Sequence, residues 1–141
     1  MGHCIFCDII KGHSDGTFVY RDENSSVFMD IQPVNAGHLL VVPNRHATYL
    51  ADLDPEIGAQ MFPVAQKMAE ALRKSGLRCE GVNLFLADGE AAMQDVFHVH
   101  LHVFPRFKGD GFGLTFADAY YMRPPRTELE SAAEKVKKAL G

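Results

Sequence analysis

Alternating apolar and polar positions mark out most of this chain. Residues 17–20 (Thr-Phe-Val-Tyr) and 26–31 (Ser-Val-Phe-Met-Asp-Ile) read as two strands joined by the polar turn 21–25. Residues 37–43 (Gly-His-Leu-Leu-Val-Val-Pro) read as a third, buried strand with Pro43 at its end. Asp54 then sits as an N-cap ahead of Pro55. Ile57, Met61, Val64, Ala65, Met68 and Leu72 recur at helical spacing up to a stop at Gly76, and Pro63 inside that helix predicts a kink. Residues 81–86 and 96–104 complete five strands. Thr127-Glu-Leu-Glu130 has the form of a capping box opening a last helix, with Leu129, Val136 and Leu140 on one side. Five strands and two main helices without regular crossovers predict an α+β fold with a mostly antiparallel sheet, in one domain over residues 1–141.

The fifth strand carries the candidate chemistry, His98-Val-His100-Leu-His102-Val103. A period of two puts the imidazoles on one face, roughly 6.5–7 Å apart in succession, and sends Val99, Leu101 and Val103 into a core. From the residues alone three readings stand side by side. Two histidines two apart on a strand can chelate zinc, with a third closing the set. One imidazole can attack an electrophile while its neighbours handle protons and charge. The third reading is a strand face that happens to carry histidines. A cupin-like metal site wants a glutamate shortly after its His-x-His, and residues 103–106 (Val-Phe-Pro-Arg) offer none.

Composition narrows the partners. The chain of 141 residues is 47% hydrophobic and 23% charged, with a net charge of −4 and no Lys/Arg block. Nucleic acid is therefore not an expected partner, whereas a small anionic ligand remains compatible with a locally positive site. No apolar stretch approaches twenty residues and the start shows no signal-peptide pattern, so neither membrane association nor export is expected and a cytoplasmic location is. The three cysteines are Cys4, Cys7 and Cys79. Their odd number and the Cys4-x-x-Cys7 spacing suit half a metal site, a redox pair or a coincidence better than a disulfide framework.

Gln94-Asp-Val-Phe-His98-Val-His100-Leu-His102-Val-Phe-Pro-Arg106 resembles the motif of the histidine-triad (HIT) family of nucleotide hydrolases and transferases. The segment from Phe28 through Asp30, Ile31, Gly37 and His38 to Pro43 resembles that family's second block, and Cys4-Ile-Phe-Cys7-Asp-Ile-Ile10 resembles the opening of its bacterial-type members. The likeness runs from residue 4 to about residue 107; the tail and helix of 108–141 carry no assignable motif. It implies a HIT-like α+β fold and a homodimer with a continuous sheet. His100 would be the nucleophile on the α-phosphorus, giving a nucleotidyl-histidine that water resolves. His102 would contact the phosphate, His38 would pack beside the triad, and Gln94 would be a further donor to the developing charge. Asp30 would hold the ribose hydroxyls, and Phe6, Phe28, Ile31 and Leu40 would line a slot for the base. The resemblance also implies a structural zinc on Cys4, Cys7, His46 and His98.

Two departures bear on substrate. The family commonly has Gly-Gln-Ser or Gly-Gln-Thr where this chain has Met93-Gln94-Asp95. If the glycine position needs positive φ, Met93 carries a conformational cost. A carboxylate at Asp95 repels a phosphate, so it either receives a cationic leaving group or points away. An Asn or Gln often stands where Ala87 does. The leading expectation is hydrolysis or nucleotidyl transfer at the α-phosphorus of dinucleoside polyphosphates or nucleoside phosphoramidates. The alternative, which Met93 and Asp95 favour, is a nucleotide-binding or scaffold protein with little turnover.

Overall fold

Leu39–Pro43 is buried along its whole length and forms the middle of a sheet. The structure, a computed structural model, describes residues 3–141. It parts into two compact units, one ending at Asp110 and one spanning Gly111–Gly141. The first contains helix α1 (Ile5–Lys11), strands β1 (Phe18–Arg21), β2 (Ser25–Met29) and β3 (Leu39–Pro43), helix α2 (Pro55–Lys74), and strands β4 (Gly81–Phe85) and β5 (Leu101–Arg106). The strands form one sheet in the order β1-β2-β3-β5-β4, every neighbouring pair antiparallel.

The apolar run of β3 follows from cover on both faces. Leu39 and Val41, with Val27, Val99 and Val103, pack on Met61, Val64, Ala65, Met68 and Leu72 of α2. Leu40 and Val42, with Phe28, meet Phe6 and Ile9 of α1 on the other side. Alternate residues of one strand thus serve two cores. Helix α2 opens as its sequence predicts: the Asp54 carboxylate accepts from the Glu56 N–H at 2.9 Å, and Pro55 fills the first helical position. It runs unbroken across Pro63, which is exposed, and ends at Lys74, two residues before Gly76 turns left-handed at φ 87°.

Several expectations are corrected. Helix α1 was not foreseen, although Cys4 caps it through an Sγ contact from the Cys7 N–H and Gly12 closes it at φ 83°. The sequence signals were there: Phe6 and Ile9 three apart, Asp8 in the first turn and a following glycine. Strand β2 stops at Met29, so Asp30 and Ile31 leave the sheet and Ile31 is fully exposed. Strand β5 begins at Leu101 rather than near residue 96, because the Val99 N–H donates to the carbonyl of Ala47 (2.8 Å) and not to β3. The alternation between faces nevertheless continues back from the strand: Val99 and Val103 pack in the α2 core, while His98 and His100, also buried, meet the Phe6 ring. Pairing of β5 with β3 spans only Leu101 to Val103, which is why Pro105 is tolerated beyond it.

In the second unit, helix α3 (Arg126–Leu140) starts from Pro125 with no side-chain cap, so the expected capping box at Thr127 does not form. Leu129, Val136 and Leu140 of that helix are exposed. The Phe116 and Tyr120 rings stack with centroids 3.7 Å apart. Among the described residues no helix is long and apolar enough to cross a membrane.

Two backbone positions carry left-handed geometry with consequences. At Gly37 (φ 104°) an added Cβ would lie 2.9 Å from Leu77 Cδ1 and 3.0 Å from Leu72 Cδ2. Met93 is the non-glycine residue at positive φ (71°) among those described, and its side chain is exposed. An L-residue there costs about 1–2 kcal/mol, partly offset by the entropy a glycine would lose. Met93→Gly is therefore expected to raise unfolding free energy by about 0.5 kcal/mol in urea titrations, and Gly37→Ala to lower it by about 2 kcal/mol or more. A loss of stability in Met93→Gly would contradict this account.

Candidate active site

Sheet register lays a row of side chains across one face. Phe28 pairs with Leu40, Leu40 with His102, and His102 with Phe85. Phe6 of α1 covers this row edge-on, its ring 5.4 Å from Phe28 and 5.0 Å from His100. Between them opens a cavity of about 600 Å³, which Phe6, Phe28, Asp30, Ile31, Leu40, Asp95, His100 and His102 line. That volume suits a nucleoside-sized ligand. Asp15, Gly16 and Thr17, from the segment between α1 and β1, also line it; no sequence signal pointed to them.

Backbone groups decide which nitrogen of each imidazole carries the proton. The buried His100 has Nδ1 at 2.7 Å from its neighbour's carbonyl, that of His98. A carbonyl only accepts, so Nδ1 holds the hydrogen and Nε2 keeps a lone pair on the cavity side. His102 has the opposite assignment. The Val34 N–H donates to His38 Nδ1 at 2.9 Å, which leaves the hydrogen of His38 on Nε2. That nitrogen donates to His102 Nδ1, also at 2.9 Å, so the hydrogen of His102 sits on Nε2 as a donor. Asp30 Oδ2 lies 3.5 Å from His38 Nε2 and 3.8 Å from His102 Nδ1, while Oδ1 accepts from the Gln32 N–H. Burial, with His100 and His38 close by, pushes His102 down to about 4; burial also lowers His38 against the pull of Asp30.

Asp30, His38 and His102 lie close enough together to suggest a metal site. The proton on His38 Nε2 argues against one, because a ligating nitrogen must be unprotonated.

The turn before the histidines differs from expectation. Gln94 is buried; its Nε2 donates to the carbonyls of Thr48 (2.8 Å) and Val96 (3.1 Å), and its Oε1 accepts from the Gly89 N–H. Both amide hydrogens are thus spent on the turn, and Gln94 is a clip rather than the cavity donor the sequence suggested. Asp95 does not point away: its carboxylate is exposed, borders the cavity and lies 3.6 Å from His100 Nε2.

A second cluster brings together Cys4, Cys7, His46 and His98. Cys4 Sγ and Cys7 Sγ lie 3.3 and 3.6 Å from His98 Nδ1, Cys7 Sγ lies 3.4 Å from His46 Nδ1, and the two Nδ1 atoms are 3.1 Å apart. A tetrahedral zinc with bonds of ~2.3 Å to sulfur and ~2.0–2.1 Å to nitrogen has edges of roughly 3.3–3.8 Å. The three sulfur–nitrogen distances fall in that range and the nitrogen–nitrogen distance just short of it, so the donor set fits that ion. His98 Nε2 donates to the Pro43 carbonyl at 2.8 Å, which frees Nδ1 as a ligand, and His46 Nε2 meets Thr48 Oγ1 at 3.2 Å. Thr48, which supports both this cluster and Gln94, had no motif to reveal it.

The His102 shift makes stability depend on pH. Unfolded, its imidazole takes a proton near pH 6.5; folded, it does so only near 4. Between those values the unfolded chain binds more protons, so the contribution is complete above pH 6.5 and is lost as pH falls toward 4. It amounts to about 3 kcal/mol. Urea midpoints from pH 7.5 to 4.5 are expected to fall more steeply for the native chain than for His102→Gln; parallel curves would remove His102 as a source.

Comparison with known proteins agrees with this fold. The chain is 42% identical over 122 residues to "Protein hit" of Bacillus subtilis, covering 84% of this chain and 83% of that one. Among solved structures, it is similar to a Zn-bound histidine triad family protein from Mycobacterium smegmatis, with a TM-score of 0.75 and 40% identity over 96% of each chain. It is also similar to a histidine triad nucleotide-binding protein from Candida albicans, with a TM-score of 0.86 and 29% identity over 98% of this chain and 97% of that one. Residues 11–109 match the family model for the HIT domain, and with that match the chain belongs to the HIT family.

Proposed function

We propose that this protein transfers or hydrolyses nucleotidyl groups at the α-phosphorus, acting on nucleoside phosphoramidates or dinucleoside polyphosphates through a nucleotidyl-histidine. The observation that carries this is the opposed protonation of two neighbouring imidazoles, a lone pair on His100 Nε2 beside an N–H on His102 Nε2. One is a nucleophile and the other a donor for charge developing on phosphate oxygens. His100 Nε2 forms a bond to phosphorus, and the bond to the leaving group breaks with its electron pair on that group. Water then attacks the phosphorus, the pair of the P–N bond returns to His100 Nε2, and a proton of the water passes to solvent. His38 is a positioning residue that holds the His102 tautomer. Asp30, at the cavity edge, suits the ribose diol, and Phe6, Phe28, Ile31 and Leu40 suit the base.

The Cys4, Cys7, His46 and His98 cluster is read as a structural zinc site, supported by its donor spacing and by the zinc in the similar Mycobacterium smegmatis protein. Such an ion would cross-link the N-terminal segment to the start of the histidine run and take no part in the reaction. The edge strand β4 suits continuation of the sheet into a second copy in a homodimer.

The nucleophile is tested with an α-phosphate-labelled nucleotide. The native chain is expected to yield an acid-labile, base-stable adduct absent from His100→Ala, with turnover down at least ~100-fold. His102→Ala, which removes one donor, is expected to cost ~10²–10³ in kcat. Labelling retained in His100→Ala would refute the assignment. Nucleotide binding without turnover in the native chain would favour a binding protein, a reading that the carboxylate of Asp95 beside Nε2 supports.

For the metal, about one zinc per chain is expected by elemental analysis. Cys4→Ser and Cys7→Ser should each lower zinc content and melting temperature, and His100→Ala should leave zinc content unchanged. Full zinc occupancy in the Cys4→Ser/Cys7→Ser double variant would rule the cluster out.

A further inference from the structure

Carboxylates border the cavity at Asp15, Asp30 and Asp95, and the described residues lining it include neither lysine nor arginine. A ligand with several negative charges therefore meets acids at the mouth and no side-chain cation to neutralise it. Among those acids, Asp95 stands beside the reacting nitrogen, its Oδ1 3.6 Å from His100 Nε2. Its backbone position is set from within the fold: Gln94 next to it is buried and bonded to three backbone groups, and Met93 before that is locked left-handed. A phosphorus poised for attack lies about 3–3.5 Å from Nε2. Its substituents and the leaving atom one bond beyond then fall within a few bond lengths of this carboxylate.

We propose that Asp95 selects the leaving group by charge, disfavouring polyphosphate and favouring a group that carries a protonated amine at or beside the scissile bond. The inference rests on the reading of His100 as nucleotidyl acceptor. With a phosphoramidate protonated on its bridging nitrogen, the positive charge lies on the leaving atom itself. His100 Nε2 bonds to phosphorus, the P–N bond breaks with its pair on nitrogen, and the group departs as a neutral amine that takes no proton from the protein. Asp95 favours the protonated form from which that departure is possible. A polyphosphate leaving group instead brings more negative charge toward the same carboxylate as the bond breaks. Across about 5 Å at a well-solvated mouth, each unit of charge is worth roughly five- to twentyfold in selectivity.

The test compares the native chain with Asp95→Asn, which keeps the shape and removes the charge. Two substrates are used: an adenosine phosphoramidate whose leaving amine bears an ammonium group, and diadenosine tetraphosphate. The ratio of kcat/KM, cationic over polyphosphate, is expected to fall at least tenfold in Asp95→Asn, and the difference between the two proteins should shrink as salt rises. Dissociation constants of the same compounds, measured by calorimetry in His100→Ala and His100→Ala/Asp95→Asn, read the preference without chemistry and should shift in the same direction. Ratios unchanged within twofold in both assays, or shifted toward the cationic substrate in Asp95→Asn, overturn the proposal. A binding shift without any turnover by the native chain would refute the nucleophile and leave the charge selection standing.

Discussion

The 2.7 Å hydrogen bond from His100 Nδ1 to the carbonyl of His98 is the contact that sets which nitrogen of His100 faces the cavity unprotonated. An imidazole attacks only through an unprotonated nitrogen, and in a neutral ring one nitrogen is free only because the other holds the proton. A backbone carbonyl cannot donate, so this bond assigns the proton without a second titrating group. The same device recurs at His98, whose Nε2 donates to the Pro43 carbonyl. At His102 it is inverted through His38, beginning from the Val34 N–H. Three imidazoles of one run thus present different atoms because backbone carbonyls reach two of them and a backbone N–H reaches the third through His38.

Those backbone groups stay in place because the sheet beneath them has cover on both faces. Helix α2 packs against one set of alternating β3 side chains and α1 against the other, so the strand that carries the Pro43 carbonyl is held from two sides. Phe6 belongs to the α1 core and also touches the His100 ring, which ties the N-terminal helix directly to the histidine run. The Cys4–Cys7 pair caps and begins that same helix while facing His98. Stability of the N-terminal segment and position of the histidine run are therefore one problem, solved by one cluster.

The turn of residues 93–95 follows a different logic. Its backbone holds a left-handed residue although the side chain is methionine, and Gln94 commits both amide hydrogens and its carbonyl oxygen to backbone groups that hold the turn. Strain is tolerated where surrounding bonds over-determine the conformation. The result is a carboxylate delivered to the mouth of a cavity already rich in acids, at the point where a bound nucleotide would react.

Much of this was legible in the chain. A period of two placed His98, His100 and His102 apart from Val99, Leu101 and Val103, and the helical period with Asp54 and Pro55 located α2, because local sterics and one-sided burial write these patterns into residue order. The Cys4, Cys7, His46 and His98 set was reached by resemblance, and the fold does bring those residues together. What sequence could not decide was everything that needs a distant partner. The β5 ladder begins at Leu101 because Ala47 takes the bond of Val99. Gln94 turns inward because Thr48 offers a carbonyl, and Asp95 faces His100 because that turn is clipped shut. Sequence alone thus determined which residue types share a face. Tertiary structure decided which nitrogen of each imidazole is free and which charge stands beside it, since those depend on hydrogen bonds between residues far apart in the chain.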